Sequence, residues 1–352
     1  MSTVIGVDLG GTKLALARLR DRRLDESIVE PTDGSSGEAL IQQLVAMITE
    51  ARPQDLSAVG IGVPSVVEFD TGRVVSSVNV PLADVALREV LGARLGVPVF
   101  VDNDATVAAF AEAHDDELAL VAHNLVMLTI GTGVGGGLVL GGRIYRGASG
   151  AAGELGHTIV GLELSGGVPA PTRFPQPGSL EWEASGHALD RLVAQAAQDP
   201  DSALGRARRQ GKPMLGADAV QAAHEGDADA ARIVELWAQR VGIGVANAIN
   251  TFDPEEVVLG GGAAGAGELL MIPVRRVALS YVLPGLGTRT TIRLARHGVR
   301  AGVLGAALLA AHELESAGAD ALSSTRADAP MSTGPKPTHP RGRRPSSTEV
   351  HR

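Results

Sequence analysis

Two kinds of apolar spacing run along this chain. Short β-branched runs that stop on glycine or polar residues predict strands at 4–8, 14–19, 58–63, 97–101, 124–130, 138–145 and 256–259. Longer stretches with apolar residues three and four apart predict helices at 36–50, 84–95, 105–112, 180–189, 215–224, 228–250, 268–281 and 300–314. In the stretch 228–250 the positions Ile233, Leu236, Trp237, Val241, Val245 and Ile249 fall on one face and predict its buried side. Strands first, then alternating helix and strand, is the pattern of an α/β fold. Each half of the chain opens as strand, glycine turn, strand, which predicts a duplicated β-hairpin framework with a nucleotide between the halves.

The expected organisation is an N-terminal α/β lobe over 1–118, a C-terminal α/β lobe over 119–315 whose last helix is placed to fold back on the first, and a tail over 316–352. That tail is polar and rich in Ser, Pro and Arg, the composition of a disordered segment. Aromatic residues are 3% of the chain, so the core is built from aliphatic side chains, as in helix-covered sheets. The chain has no cysteine, which removes disulfides, thiolate nucleophiles and sulfur-bound zinc. A cytoplasmic enzyme is the expectation, without a leader or a membrane span. A formal charge of -9 argues against a broad nucleic-acid surface, but an anionic small ligand needs only local donors.

The most informative stop is Asp102-Asn103-Asp104, where the strand 97–101 meets a helix. Open α/β sheets bind ligands at the C-terminal ends of strands, so a carboxylate there is placed to take a proton from a substrate hydroxyl. The plainer role for Asp104 is to cap the helix. Asp8-Leu9-Gly10-Gly11-Thr12-Lys13 lies between two strands and lacks Walker spacing, so it is a hairpin turn. Its glycines can turn N–H groups toward phosphate oxygens, with Thr12 and Lys13 adding a hydroxyl and a charge and Asp8 a ligand for magnesium through water; an ordinary hairpin is the alternative.

Gly131, Gly133 and Gly136 match G-x-G-x-x-G, but a strand and not a helix is expected after them, which contradicts a dinucleotide fingerprint. Gly260, Gly262 and Gly265 match it again between strand and helix. There the acidic residue expected about twenty positions on is missing, since no Asp or Glu lies between Glu268 and Glu313. Glu154 and His157 stand three apart and would share a helix face, either as contacts to a hydroxylated substrate or as structural side chains. Glu181 falls in the first turn of a helix capped by Ser179, where the helix dipole alone accounts for a carboxylate.

In their order these motifs resemble the ROK family (repressor, open reading frame, kinase) of the sugar-kinase, Hsc70 and actin superfamily, above all its bacterial glucokinases. The resemblance runs from Val4 to about Leu314. It implies a two-lobed, actin-like (ribonuclease H-like) fold with mixed sheets and flanking helices, a homodimer, and Mg2+-dependent transfer of the γ-phosphate of ATP to a sugar hydroxyl. By resemblance Asp104 is the catalytic base; Asn79, Asn103, Glu154, His157 and Glu181 bind the sugar; Asp8, Gly10, Gly11, Thr12, Lys13, Thr132, Gly133, Gly260, Gly261 and Gly262 bind ATP; and Asp8 supports Mg2+.

Glucose is the expected hexose, with an N-acetylhexosamine kinase (N-acetylglucosamine or N-acetylmannosamine), a polyphosphate donor and a non-catalytic sugar sensor as alternatives. Many members carry a cysteine-rich zinc motif where this chain has Thr172-Arg173-Phe174-Pro175-Gln176-Pro177-Gly178-Ser179, so no structural zinc is expected. In its place the prolines, burial of Phe174 and capping by Ser179 are expected to fix the loop. Ser65 also stands where glycine is common in the family. The family's repressors carry an N-terminal helix-turn-helix, and the phosphate strand here begins at residue 4, so a kinase without nucleic-acid binding is expected.

Overall fold

The computed structural model describes residues 3–77, 79–199, 203–211 and 214–327. β1 (Thr3–Leu9) turns into β2 (Lys13–Arg20), and β3 (Arg23–Leu24) and β4 (Ile28–Pro31) extend that edge. α1 (Gly37–Glu50), capped by the Ser36 hydroxyl, leads to β5 (Leu56–Val63). A small antiparallel sheet of β6 (Ser65–Glu68), β7 (Arg73–Ser77) and β8 (Val85–Ala86) follows, then α2 (Leu87–Leu95), β9 (Val99–Asn103) and α3 (Asp104–Glu112). The next hairpin is β10 (Leu125–Ile130) and β11 (Val134–Leu140), with β12 (Arg143–Ile144) beyond. Helices α4 (Leu180–Ala184), α5 (Gly186–Ala196), α6 (Ala203–Arg209), α7 (Gly216–His224) and α8 (Ala228–Phe252) separate it from β13 (Glu256–Gly260). The described chain ends with α9 (Glu268–Tyr281), β14 (Thr291–Leu294) and α10 (Ala301–Ala327).

The two larger sheets repeat one plan. In the first, β1 pairs antiparallel with β2 and parallel with β5, which pairs parallel with β9. In the second, β10 pairs antiparallel with β11 and parallel with β13, which pairs parallel with β14. This is the duplicated hairpin framework expected from the sequence, with the actin-like mixed α/β architecture. Parallel pairs need helical crossovers: α1 supplies that from β1 to β5, α2 that from β5 to β9, α4 to α8 that from β10 to β13, and α9 that from β13 to β14. Residues up to Leu314 form one compact unit and those from Glu315 another.

Missing side chains set how closely the helices approach. A Cβ on Gly60 of β5 would lie 1.8 Å from the Ala306 carbonyl of α10, and one on Gly6 of β1 2.1 Å from that of Val303. Gly305 of α10 meets the Val107 carbonyl of α3 in the same way, at 1.8 Å, and Gly137 of β11 meets that of Ala105 at 2.5 Å. So α10 lies against the first sheet and α3, and α3 lies against the second sheet. At the far end of α3, Glu112 is 0% exposed. Its carboxylate accepts from Arg293 Nη1 (2.6 Å) and from the backbone N–H groups of Arg296 (2.9 Å) and His297 (2.8 Å), while Arg293 also pairs with Glu256. A buried carboxylate persists only when paired and hydrogen-bonded in this way.

Several local expectations are corrected. The strand expected at 138–145 begins at Val134, so Gly135, Gly136 and Gly137 are strand residues, and the turn is Gly141–Gly142, both with positive φ. The helix expected at 180–189 is broken at Ser185, whose extended backbone ends α4 and whose hydroxyl caps α5. The helix expected at 84–95 begins at Leu87, because 85–86 add a strand to the small sheet. Leu236 is 43% exposed, off the buried face that Ile233, Trp237, Val241, Val245 and Ile249 do form. The last helix continues to Ala327, so the tail expected as disordered from Ser316 begins helical, which its alanines favour; 328–352 lie outside the described residues. Among the described residues no helix is long and apolar enough to cross a membrane.

Gly60→Ala is expected to lower folding stability by about 2–3 kcal/mol, the usual penalty for overfilling a tight contact. Gly34→Ala, with open space around it, is expected within about 0.5 kcal/mol of wild type. Urea unfolding of both variants is the measurement.

Candidate active site

Asn103, not Asp104, is the cap of α3: its side-chain oxygen accepts the Thr106 N–H at 3.1 Å, and its amide reaches the Ser65 carbonyl at 3.3 Å. That leaves Asp104 in the first helical turn, at the C-terminal end of β9, with one carboxylate oxygen accepting the Ala105 N–H at 2.8 Å. Burial pushes its carboxyl up to about 6, and the nearby charges of Asp8 and Glu154 push the same way against the backbone hydrogen bonds. Those interactions bring three residues of three separate motifs into one electrostatic neighbourhood. Burial also raises the Asp8 carboxyl, with Lys13 opposing.

The two glycine turns are built alike. The Gly10 N–H donates to the Lys13 carbonyl (2.9 Å), and the Gly131 N–H to that of Gly133 (3.0 Å), each closing a hairpin at the same point of its repeat. Gly11, Thr12 and Lys13 in the first turn and Thr132 in the second are exposed. Gly261 has a φ of 77° and a Cβ there would lie 2.5 Å from the Ile130 carbonyl, so only glycine brings this turn so near β10. A cavity of about 580 Å³ opens between the turns at Gly131 and Gly261, lined by Gly131, Thr132, Gly262 and Ala266 and also by His187, Asp190, Gly216 and Trp237. Its size and mixed lining suit a nucleoside.

Sequence reading missed that second group. Asp190 accepts the Gly216 N–H at 2.7 Å, and the Trp237 indole donates to the carbonyls of Ala184 (2.9 Å) and Ser185 (3.1 Å). Ser185-Gly186 inside an apparent helix was the available signal, since that pair is a common break.

Among the expected sugar residues, Glu181 accepts the Val134 N–H at 2.8 Å and lies against Gly133, so it touches the second glycine turn. Glu154 precedes, and His157 ends, a short 3₁₀ segment and not an α-helix, with His157 Nε2 3.8 Å from Glu154 Oε2. Asn79 is exposed, its backbone against Gly11. Ser65 is buried, and its hydroxyl donates to that of Ser77 at 2.9 Å.

The stretch 172–179 is held by hydrogen bonds. The Ser179 hydroxyl accepts the Trp182 N–H (3.2 Å), the Gly178 carbonyl accepts the Val160 N–H (2.8 Å), and Gln176 bridges to the Thr172 backbone. Phe174 does not bury as expected: it is 71% exposed and meets the His157 ring edge to face. Among the described residues no three His, Asp or Glu side chains form a metal-binding group. A zinc-selective chelator in excess Mg2+ is expected to leave the melting temperature unchanged, and metal analysis is expected to find well under one zinc per chain.

A raised carboxyl value in the folded state means stability that is full below the unfolded value and lost as pH rises through about 6. Asp104→Asn is therefore expected to stabilise the protein above that pH by at most about 3 kcal/mol, with the gain vanishing below pH ~4. Melting curves across that range are the check.

The sequence profile described as ROK family matches residues 4–313. A glucokinase of Halalkalibacterium halodurans is 34% identical over 86% of this chain and 92% of its own. An N-acetyl-D-glucosamine kinase of Pasteurella multocida is 32% identical over 86% and 98%. A ROK family glucokinase from Streptomyces griseus, solved in complex with glucose and AMPPNP, has a TM-score of 0.71 at 31% identity, covering 88% of this chain and 100% of that one.

Proposed function

The chain belongs to the ROK family, and from that premise we infer that it is an ATP-dependent sugar kinase and propose glucose, phosphorylated at its 6-hydroxyl, as its substrate. The observation that carries the reading is the Asp104 carboxyl, held at the end of β9 beside Asp8 and Glu154 with its pKa pushed up to about 6. A base needs a proton affinity near the working pH, and this one is ionised yet basic at neutrality.

In the reaction Asp104 takes the proton of the sugar's 6-hydroxyl as that oxygen bonds to the γ-phosphorus and the bond from phosphorus to the β,γ-bridging oxygen breaks, releasing ADP. The proton then passes from Asp104 to solvent. Phosphoryl transfer needs little from a protein beyond positioning and neutral charge balance. We assign the phosphates to Gly10, Gly11, Thr12 and Lys13 on one side and Thr132 and Gly133 on the other, and the adenosine to the cavity beside Gly260, Gly261 and Gly262. Asn79, Asn103, Glu154, His157 and Glu181 are assigned to the sugar hydroxyls.

Asp8 suits Mg2+, because that ion is usually held by one or two carboxylates together with phosphate oxygens and water. When bound, it neutralises charge on the phosphates. The reading includes a homodimer, located in the cytoplasm, divided into lobes near residue 118.

The resemblance to an N-acetyl-D-glucosamine kinase gives the second reading, in which the same residues receive a 2-acetamido sugar. A coupled ADP-release assay over glucose, mannose, N-acetylglucosamine and N-acetylmannosamine separates the two, with glucose expected to have the highest kcat/KM. An N-acetyl sugar in first place overturns the choice of glucose. Sugar binding without ADP release would make the protein a sensor, and activity with inorganic polyphosphate would change the donor. Asp104→Asn is expected to keep sugar binding and lose about 10²–10⁴ in kcat. In the wild type kcat/KM is expected to rise with pH to a plateau above about 6, because the base works ionised.

A further inference from the structure

Two residues before the proposed base, Asp102 is 1% exposed and forms no part of the mechanism above. Its Oδ1 accepts the Asn103 N–H at 2.9 Å and its Oδ2 accepts Arg146 Nε at 2.7 Å. Arg146 belongs to the other sheet, two positions beyond the end of β12. Its guanidinium lies over the Phe69 ring, 3.4 Å from the centroid, and Nη2 stands 3.6 Å from Glu313 on α10. That Nη2 is buried without a hydrogen bond.

From Arg146 the chain runs directly to Glu154 and His157, and it is tied down on the way. The Arg146 carbonyl accepts the Ala152 N–H at 3.1 Å, closing a loop. Gly150, with a φ of 82°, lies against Val67, where a Cβ would stand 2.0 Å from the carbonyl oxygen. Gly153, with a φ of 96°, lies against Gly136 of β11. Stability is a poor reason for keeping the ion pair, since apolar side chains of similar volume usually serve a buried site as well or better. What the guanidinium gives in addition is direction, because its N–H groups are fixed in one plane and its Nε–H can donate to Asp102 in few orientations.

We propose that Arg146 is a positioning residue: its pairing with Asp102 holds the segment that carries Glu154 and His157 in register with the strand that leads into Asp104, and so delivers the sugar's hydroxyl to the base. The proposal rests on the assignment of those residues to a sugar and a base. Asp102 itself, sealed by Arg146, has no path to a substrate proton.

The test compares wild type with Arg146→Lys, Arg146→Met and the double variant Arg146→Met/Asp102→Asn, measuring kcat, KM for sugar and for ATP, melting temperature and calorimetric sugar affinity. Arg146→Met is expected to raise the sugar KM about tenfold or more and to lower kcat, with the KM for ATP changed less than about twofold. Arg146→Lys is expected between the two, because it keeps the charge without the fork. The double variant leaves no orphaned carboxylate, so it is expected to regain the melting temperature and not the sugar KM. It supplies the same readout if Arg146→Met fails to fold.

Variants that lose melting temperature yet keep wild-type sugar KM and kcat overturn the proposal, as does a double variant that regains both stability and sugar KM. A wild type that releases ADP with none of the sugars defeats the kinase reading, whereas an active wild type whose variants bind sugar unchanged defeats only the role of Arg146.

Discussion

The protein depends on helices that touch sheets through bare backbone. A helix lies as near a sheet as the side chains between them allow, and at Gly6, Gly60, Gly137 and Gly305 there are none. Interiors packed to such density transmit displacement and do not absorb it. α3 takes the consequence on both sides, with the Gly305 turn of α10 against one of its carbonyls and β11 against another. Asp104, in its first turn, is therefore located by contacts with elements far along the sequence as much as by its own strand.

The two ends of α3 treat charge in opposite ways. At its C-terminal end Glu112 is compensated by Arg293 and by two backbone donors, a complete set of partners for a buried carboxylate. At its N-terminal end Asp104 is buried with no cationic partner among its named neighbours and with two acidic groups nearby, so its proton is held more tightly than usual. A helix N-terminus ordinarily favours a negative charge, and here burial outweighs that preference. The compensated end fixes the helix, and the uncompensated end keeps a carboxyl of raised proton affinity.

What could be read from sequence follows the range of the interactions responsible. The two hairpins and their glycine turns were legible because a strand, a turn and a strand are local, and their repetition gave the mixed-sheet plan. The order of motifs from Asp8 to Gly262 was enough to show the family. The start of β11 was not legible, since Gly135 to Gly137 are weak strand formers taken into the sheet by pairing with β10. Nor was the exposure of Leu236, because helical spacing gives a face and not its width. The choice of Asn103 over Asp104 as the cap of α3 rests on one side-chain hydrogen bond, and the partnership of Asp102 with Arg146 joins positions that no local pattern connects.

The return of α10 to the first sheet has a consequence for the order in which the protein is made. β1 and β5 leave the ribosome long before the residues that fit against Gly6 and Gly60, Val303 to Ala307, which are among the last of the compact unit. Until they arrive, a face of the first sheet stands without its cover, whereas the contact of α3 with β11 can form sooner. Such a nascent chain carries apolar surface for most of its synthesis, the condition in which chaperones bind. Covering of that sheet is thus a late event of folding, although its strands are translated long before the helix that covers it.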